Sequence, residues 1–126
     1  MRKPTIFLID SDLIDISILV LKIERKFNCN IYTFFDIEEV MIYNDMTPDI
    51  FIIDEKTYIK KKEIINQIMT SLNQRNSGAE TKFVVYGDKG LVDIHQQMPT
   101  SGKEVNIVPL DMGYSSIQLS LNRIIG

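Results

Sequence analysis

Apolar residues in this chain gather into five short runs, separated by stretches in which they recur every three or four positions. The first run, Thr5 to Ile9, stops abruptly at Asp10-Ser11-Asp12. Behind it Ile16, Leu19, Val20, Ile23 and Phe27 share one stripe of a helix, which Asp12 or Ser11 can cap by accepting from its first free N–H groups. Asn28-Cys29-Asn30 ends that helix, and Ile31 to Phe34 reads as a second short strand. Asp36 with Glu39 has the spacing of a capping box opening a short helix through Met41. Met46-Thr47-Pro48 then turns the chain into Asp49-Ile50-Phe51-Ile52-Ile53-Asp54. Four consecutive large apolar residues between turn residues predict a central strand of a parallel sheet covered on both faces.

Past Asp54, Glu55 to Tyr58 is expected to be a loop. Ile65, Ile68, Met69 and Leu72 predict a helix whose other face carries Lys61, Lys62 and Gln74. The run Lys60-Lys61-Lys62 reads as its solvated start, too small a field for nucleic acid. Asn76-Ser77-Gly78 breaks the helix. Lys82 to Tyr86 is a fourth strand, with Gly87-Asp88-Lys89-Gly90 as its exit loop. Leu91, Ile94, His95 and Met98 suggest a short helix in which His95 is packed or half exposed. A small and polar loop, Pro99 to Lys103, leads to a fifth strand, Val105 to Val108. Tyr114, Ile117, Leu121 and Ile124 form the inward stripe of a closing helix. Strand and helix alternate five times without repeat or linker, so residues 1–126 are expected to form a single α/β domain. Parallel neighbours need right-handed helical crossovers, which places helices on both faces of a five-stranded sheet, a three-layer sandwich. The pattern leaves the strand order open. The flavodoxin-like order 2-1-3-4-5 is a common solution, and it sets Asp10 and Asp54 across one crevice at the carboxyl edge, where open α/β sheets bind ligands.

Composition narrows the chemistry. The chain has one cysteine, Cys29, and one histidine, His95, so it lacks the ligands of a zinc or haem site and any disulfide framework. Met-Arg-Lys-Pro at the start is basic, but the apolar run behind it is too short for a signal-peptide core or a membrane span, and a cytoplasmic setting is expected. A net charge of −3 and a pI near 5.1 argue against a nucleic-acid-binding surface.

Asp54 is either a functional acid or simply the first residue of a loop. If Asp10 and Asp54 do share a crevice, their repulsion calls for a proton or a cation between them. Mg²⁺ suits a few carboxylates together with waters and phosphate oxygens, and a carboxylate can attack phosphorus to form an aspartyl-phosphate. No Gly-rich phosphate loop follows the first strand, and no Ser-His or Cys-His pairing is available. Asp10-Ser11-Asp12-Leu13-Ile14 is also not the Ser/Thr/Gly-rich loop that flavin binding would want.

Phe7-Leu8-Ile9-Asp10-Ser11-Asp12-Leu13-Ile14-Asp15, Pro48 to Asp54 and Val108-Pro109-Leu110 together resemble the response-regulator receiver domain of bacterial two-component signalling. The resemblance implies a receiver-type fold, Asp54 as phosphoacceptor, and Mg²⁺ held by Asp10, Asp12 and Asp54. It also shows departures. The acidic pair after the first strand reads Asp10-Ser11, with Asp12 one place late. The Ser or Thr that bonds the phosphoryl oxygen is replaced by Tyr86. Val108 stands where the family has a lysine before a proline, and Val105 where it has an aromatic switch residue. Glu55-Lys56-Thr57-Tyr58 replaces the usual Met-Pro and Gly motifs. Losing that lysine removes a positive charge from beside a dianionic phosphoryl group. Lys56 or Lys89 is a candidate surrogate cation; the competing reading of each is an exposed loop lysine.

The leading expectation is therefore a non-enzymatic, receiver-like module of phosphorelay signalling that works by protein–protein contact, with phosphorylation impaired or absent. Its partners would be a histidine kinase, a phosphotransfer protein, an output protein or a second copy of itself, with no membrane. Its cofactor would be weakly held Mg²⁺ or none. The polar, uncharged face of the closing helix, Ser115, Ser116, Gln118 and Asn122, is either a contact surface or an ordinary solvated side. The alternative is a working Mg²⁺-dependent phosphoacceptor at Asp54. A small Mg²⁺ phosphohydrolase ranks below both, because it has no visible general acid or base.

Overall fold

Each apolar run becomes a strand: β1 (Thr5–Ile9), β2 (Asn30–Phe34), β3 (Ile50–Asp54), β4 (Lys82–Gly87) and β5 (Val105–Pro109). In the computed structural model, which describes residues 3–43, 46–75, 81–87, 105–109 and 115–125, the strands β2-β1-β3-β4 lie side by side in that order and in parallel. The backbone of β5 pairs in parallel along β4. The other elements are α1 (Leu13–Lys26), a 3₁₀ helix (Ile37–Tyr43), α2 (Glu55–Lys60), α3 (Lys62–Arg75) and α4 (Ser115–Ile125). The α/β class and the parallel sheet are those the alternation predicts.

β3 is buried along its whole length because both of its faces are covered. Phe51 and Ile53 join Phe7, Ile9, Phe83 and Val85 against Val40, Tyr58, Ile65 and Met69. Ile50 and Ile52 face the other way, with Leu8, Val84 and Tyr86, against Leu19 and Ile23 of α1 and Ile117 and Leu121 of α4. Phe7, Phe51 and Phe83 are level in the register, and their rings follow one another at 6.0 and 5.5 Å across three strands. Such contacts contribute about 0.5–1.5 kcal/mol each beyond their buried area.

At the amino edge, Asp49 ties the strands together. Its Oδ2 accepts from Thr5 N–H at 2.8 Å, its N–H donates to the Thr5 carbonyl, and its carbonyl accepts from Lys82 N–H. The residue that leads from the turn into β3 is therefore also a clamp on its neighbouring strands.

Of the two candidate caps for α1, the structure uses Asp12: its Oδ1 accepts from Ile14 N–H at 2.9 Å and Asp15 N–H at 3.2 Å. Asp12→Ala is expected to cost about 1 kcal/mol of unfolding free energy, measured by urea denaturation, with Asp12→Asn restoring most of it. Half of the expected capping box forms: Glu39 Oε1 accepts from Asp36 N–H at 3.1 Å, but the Asp36 carboxylate accepts from Glu38 N–H at 3.4 Å rather than from Glu39 N–H, and the turn is a 3₁₀ helix running to Tyr43.

Two local expectations are corrected. Glu55 to Tyr58 is not a loop but most of α2, because the Asp54 carboxylate caps it and Tyr58 supplies a buried anchor 1% exposed. Nor is Lys61 merely solvated, since its Nζ meets Glu38 Oε1 at 2.8 Å; at such exposure the pair contributes little. The Asn76-Ser77-Gly78 break, Lys89, the Leu91 to Met98 helix with His95, the Pro99 to Lys103 loop and Tyr114 lie outside the described residues. Among the described residues, no helix is long and apolar enough to cross a membrane.

Candidate functional site

Strand register assembles the site. Ile9 is level with Ile53, which leaves Asp10 beside Asp54 at the ends of adjacent strands. Asp54 is level with Tyr86, and Tyr86 with Val108, while Val105 is level with Phe83. The acid after β1, the acid of β3, the tyrosine of β4 and the backbone of Val108 thus occupy one row at the carboxyl edge. Side-chain alternation puts Tyr86 on the face that packs α1 and α4.

Asp10 is 3% exposed, and both of its oxygens are engaged. Oδ2 accepts from the Tyr86 hydroxyl, and Oδ1 accepts from Asp12 N–H at 2.9 Å. Burial pushes the Asp10 carboxyl up to about 6; the Tyr86 and Asp12 donors offset part of that rise, and the charges of Asp54 and Asp15 add to it. The Tyr86 phenol, itself 2% exposed, is pushed upward by burial and then by the Asp10 charge, so it stays protonated as a donor.

Asp54 is divided between two roles. Its Oδ2 caps α2 by accepting from Thr57 N–H at 3.2 Å. Its Oδ1 is buried with no hydrogen-bond partner among the described residues. A carboxylate oxygen in that state retains its desolvation cost until a proton, a donor or a cation meets it.

A cleft of about 660 Å³ opens over this row, bounded by Asp10 to Asp15, Asp54 to Lys56, Tyr86 and Gly87. Lys56 is exposed at its wall, on α2. Its charge is felt at Asp15, whose carboxyl burial raises first, then Asp12 and Asp54, while Lys56 pulls it down. The candidate surrogate cation is therefore placed to act on Asp15.

Of the three carboxylates that the resemblance assigns to Mg²⁺, Asp10 and Asp54 end up side by side, while Asp12 caps α1. Asp10 accepts one internal hydrogen bond on each oxygen and Asp12 Oδ1 accepts from the first turn of α1, which leaves lone pairs on both carboxylates. Among the described residues, no group of three His, Cys, Asp or Glu side chains is arranged to hold a metal ion.

Two residues of this site were not singled out in the sequence. Glu55, assigned to a loop, is a buried acid on α2, and Asp15 lines the cleft from the first turn of α1. Glu55 is packed so close to β4 that a Cβ placed on Gly87 would lie 2.5 Å from its Cβ. Gly87→Ala must therefore shift α2 or the strand end, and is expected to cost roughly 1–2 kcal/mol in urea unfolding. Asp15 follows from the sequence once α1 is placed, since a helix beginning at Leu13 turns its first acid back toward the strand ends. No protein-family model, curated protein or solved structure matches the chain.

Proposed function

We propose that this chain is a receiver-like signalling domain, a flavodoxin-like three-layer sandwich with five strands in the order 2-1-3-4-5, that acts by protein–protein contact with its phosphorylation switch impaired or lost. The observation that carries the reading is the bond from the Tyr86 hydroxyl to Asp10. In a working receiver, the acid after the first strand helps to hold the cation that neutralises the incoming phosphoryl group. Here a protein hydroxyl already meets that acid, and Val108 brings no charge to the end of the row. The family position that would hydrogen-bond the phosphoryl group has become an internal clasp. The partners are those of phosphorelay signalling, a histidine kinase, a phosphotransfer protein or an output protein, and the domain catalyses no turnover of its own.

One observation favours the second reading, a functional phosphoacceptor: Asp54 keeps one oxygen, Oδ1, that no internal donor has taken among the described residues. That oxygen could attack the phosphorus of acetyl phosphate, forming an O–P bond as acetate leaves. Intact-protein mass after incubation with acetyl phosphate and Mg²⁺ decides between the two, run beside Asp54→Asn, which keeps the helix cap and removes the nucleophile. The expected result is no adduct on either protein. A phosphate adduct on the parent chain, absent from Asp54→Asn, would overturn the impaired-switch reading.

A further inference from the structure

Among the described residues, the cleft at the carboxyl edge is lined by Asp10, Asp12, Asp15 and Asp54 against the single cation Lys56. The imbalance is felt inside the molecule, since Asp54 and Asp15 each push Asp10 upward, and Asp12 and Asp54 push Asp15 upward. A second, independent feature points the same way. Asp54 is 6% exposed, and its Oδ1 has no donor among the described residues.

One side of the cleft's lip is apolar. Leu13 and Ile14, on the first turn of α1, are 64% and 70% exposed while lining the same opening. Two consecutive large apolar side chains beside a carboxylate floor match a long basic side chain, whose aliphatic stem can lie on the lip while its charged head reaches the acids. The volume, about 660 Å³, accommodates such a group. A guanidinium or ammonium group also makes fewer geometric demands than a hard divalent ion. It can donate to whichever carboxylate oxygens the internal bonds leave available, and a guanidinium does so in a fork matched to carboxylate.

We propose that this cleft docks a partner protein by taking up one of its arginine or lysine side chains, with the partner's neighbouring apolar residues resting on Leu13 and Ile14. The inference deepens the proposed function and rests on it: it assigns the contact surface to the acidic edge and gives the partner its chemistry. The incoming cation takes the electrostatic place for which Val108 supplies no charge.

The test is a selection of random dodecapeptides, displayed on phage, against the full chain, followed by fluorescence anisotropy of the enriched peptides. Enriched peptides are expected to carry Arg or Lys next to an apolar residue. Replacing that Arg with neutral citrulline should weaken binding at least tenfold. Asp15→Asn and Leu13→Ser, each checked by circular dichroism for an unchanged fold, should weaken it severalfold, and raising NaCl from 50 to 500 mM should do the same. The proposal is overturned if no peptide is enriched, if enriched peptides lack a basic residue, if citrulline binds as well as arginine, or if spermidine binds while no basic apolar peptide does. The acetyl phosphate experiment separates this from the parent reading. Enrichment together with an Asp54 adduct keeps the docking site and rejects the lost switch, whereas no enrichment and no adduct rejects only the docking site.

Discussion

Tyr86→Ala is expected to lower the unfolding free energy by about 3–5 kcal/mol, the largest effect of any substitution in the site. The side chain is 2% exposed and packs with Leu8, Ile52, Val84 and Ile117 on the face that carries α1 and α4. Truncation leaves a ring-sized cavity there and also strands Asp10 Oδ2, which loses its hydroxyl donor. Tyr86→Phe separates the two contributions. It keeps the ring and removes only the donor, at a cost of about 1–3 kcal/mol for a buried acceptor left unmet. Because the bond is strongest to the charged acid, the Phe variant should lose more at pH 8 than at pH 5. Urea midpoints at both pH values, with an unchanged dependence on denaturant, check this. A Phe variant as stable as the parent at pH 8 would show that the clasp contributes nothing.

Asp10 is expected to make the fold less stable as pH rises through the range in which it ionises. Its folded-state value of about 6 lies above the ordinary 3.8, so the folded chain holds this proton more tightly than the unfolded chain does. Stability from this group is therefore fully present below about pH 3.8 and is lost as pH climbs through about 6, a change of roughly 3 kcal/mol. The raised Asp15 acts in the same direction, while Glu38, held below its ordinary value by Lys61, acts in the opposite one. A carboxyl ¹³C titration of Asp10 isolates the group. A midpoint near 6 is expected in the parent and a higher one in Tyr86→Phe, since the phenol is the largest influence holding it down. A midpoint near 4 would overturn both the assignment and the stability trend.

These effects come from a part of the molecule that the sequence describes unevenly. Asp10 and Asp54 were legible because each ends an apolar run, and a run covered on both faces has to stop where its cover stops. The role of Tyr86 was not legible in the same way. As a sequence position it stands where a smaller hydroxyl would be expected, and the natural inference is crowding. Only the register that sets Tyr86 level with Asp54, one strand away from Asp10, turns a bulky residue into a hydrogen-bond donor. Glu55-Lys56-Thr57-Tyr58 was misread for a related reason. Six residues carry too little periodicity to announce a helix, and α2 exists because Asp54 caps its first turn and Tyr58 anchors it in the core.

By itself, then, the sequence determined the α/β class, the strands, the two-sided burial of β3 and the acids that end β1 and β3, because these follow from local periodicity and from where apolar runs stop. Tertiary structure alone decided how those acids are used. Whether a carboxylate oxygen meets a phenol or a helix amide, or is buried without a donor, depends on which strand ends lie side by side, and pairing between residues as distant as Asp10 and Tyr86 leaves no trace in the spacing of either one.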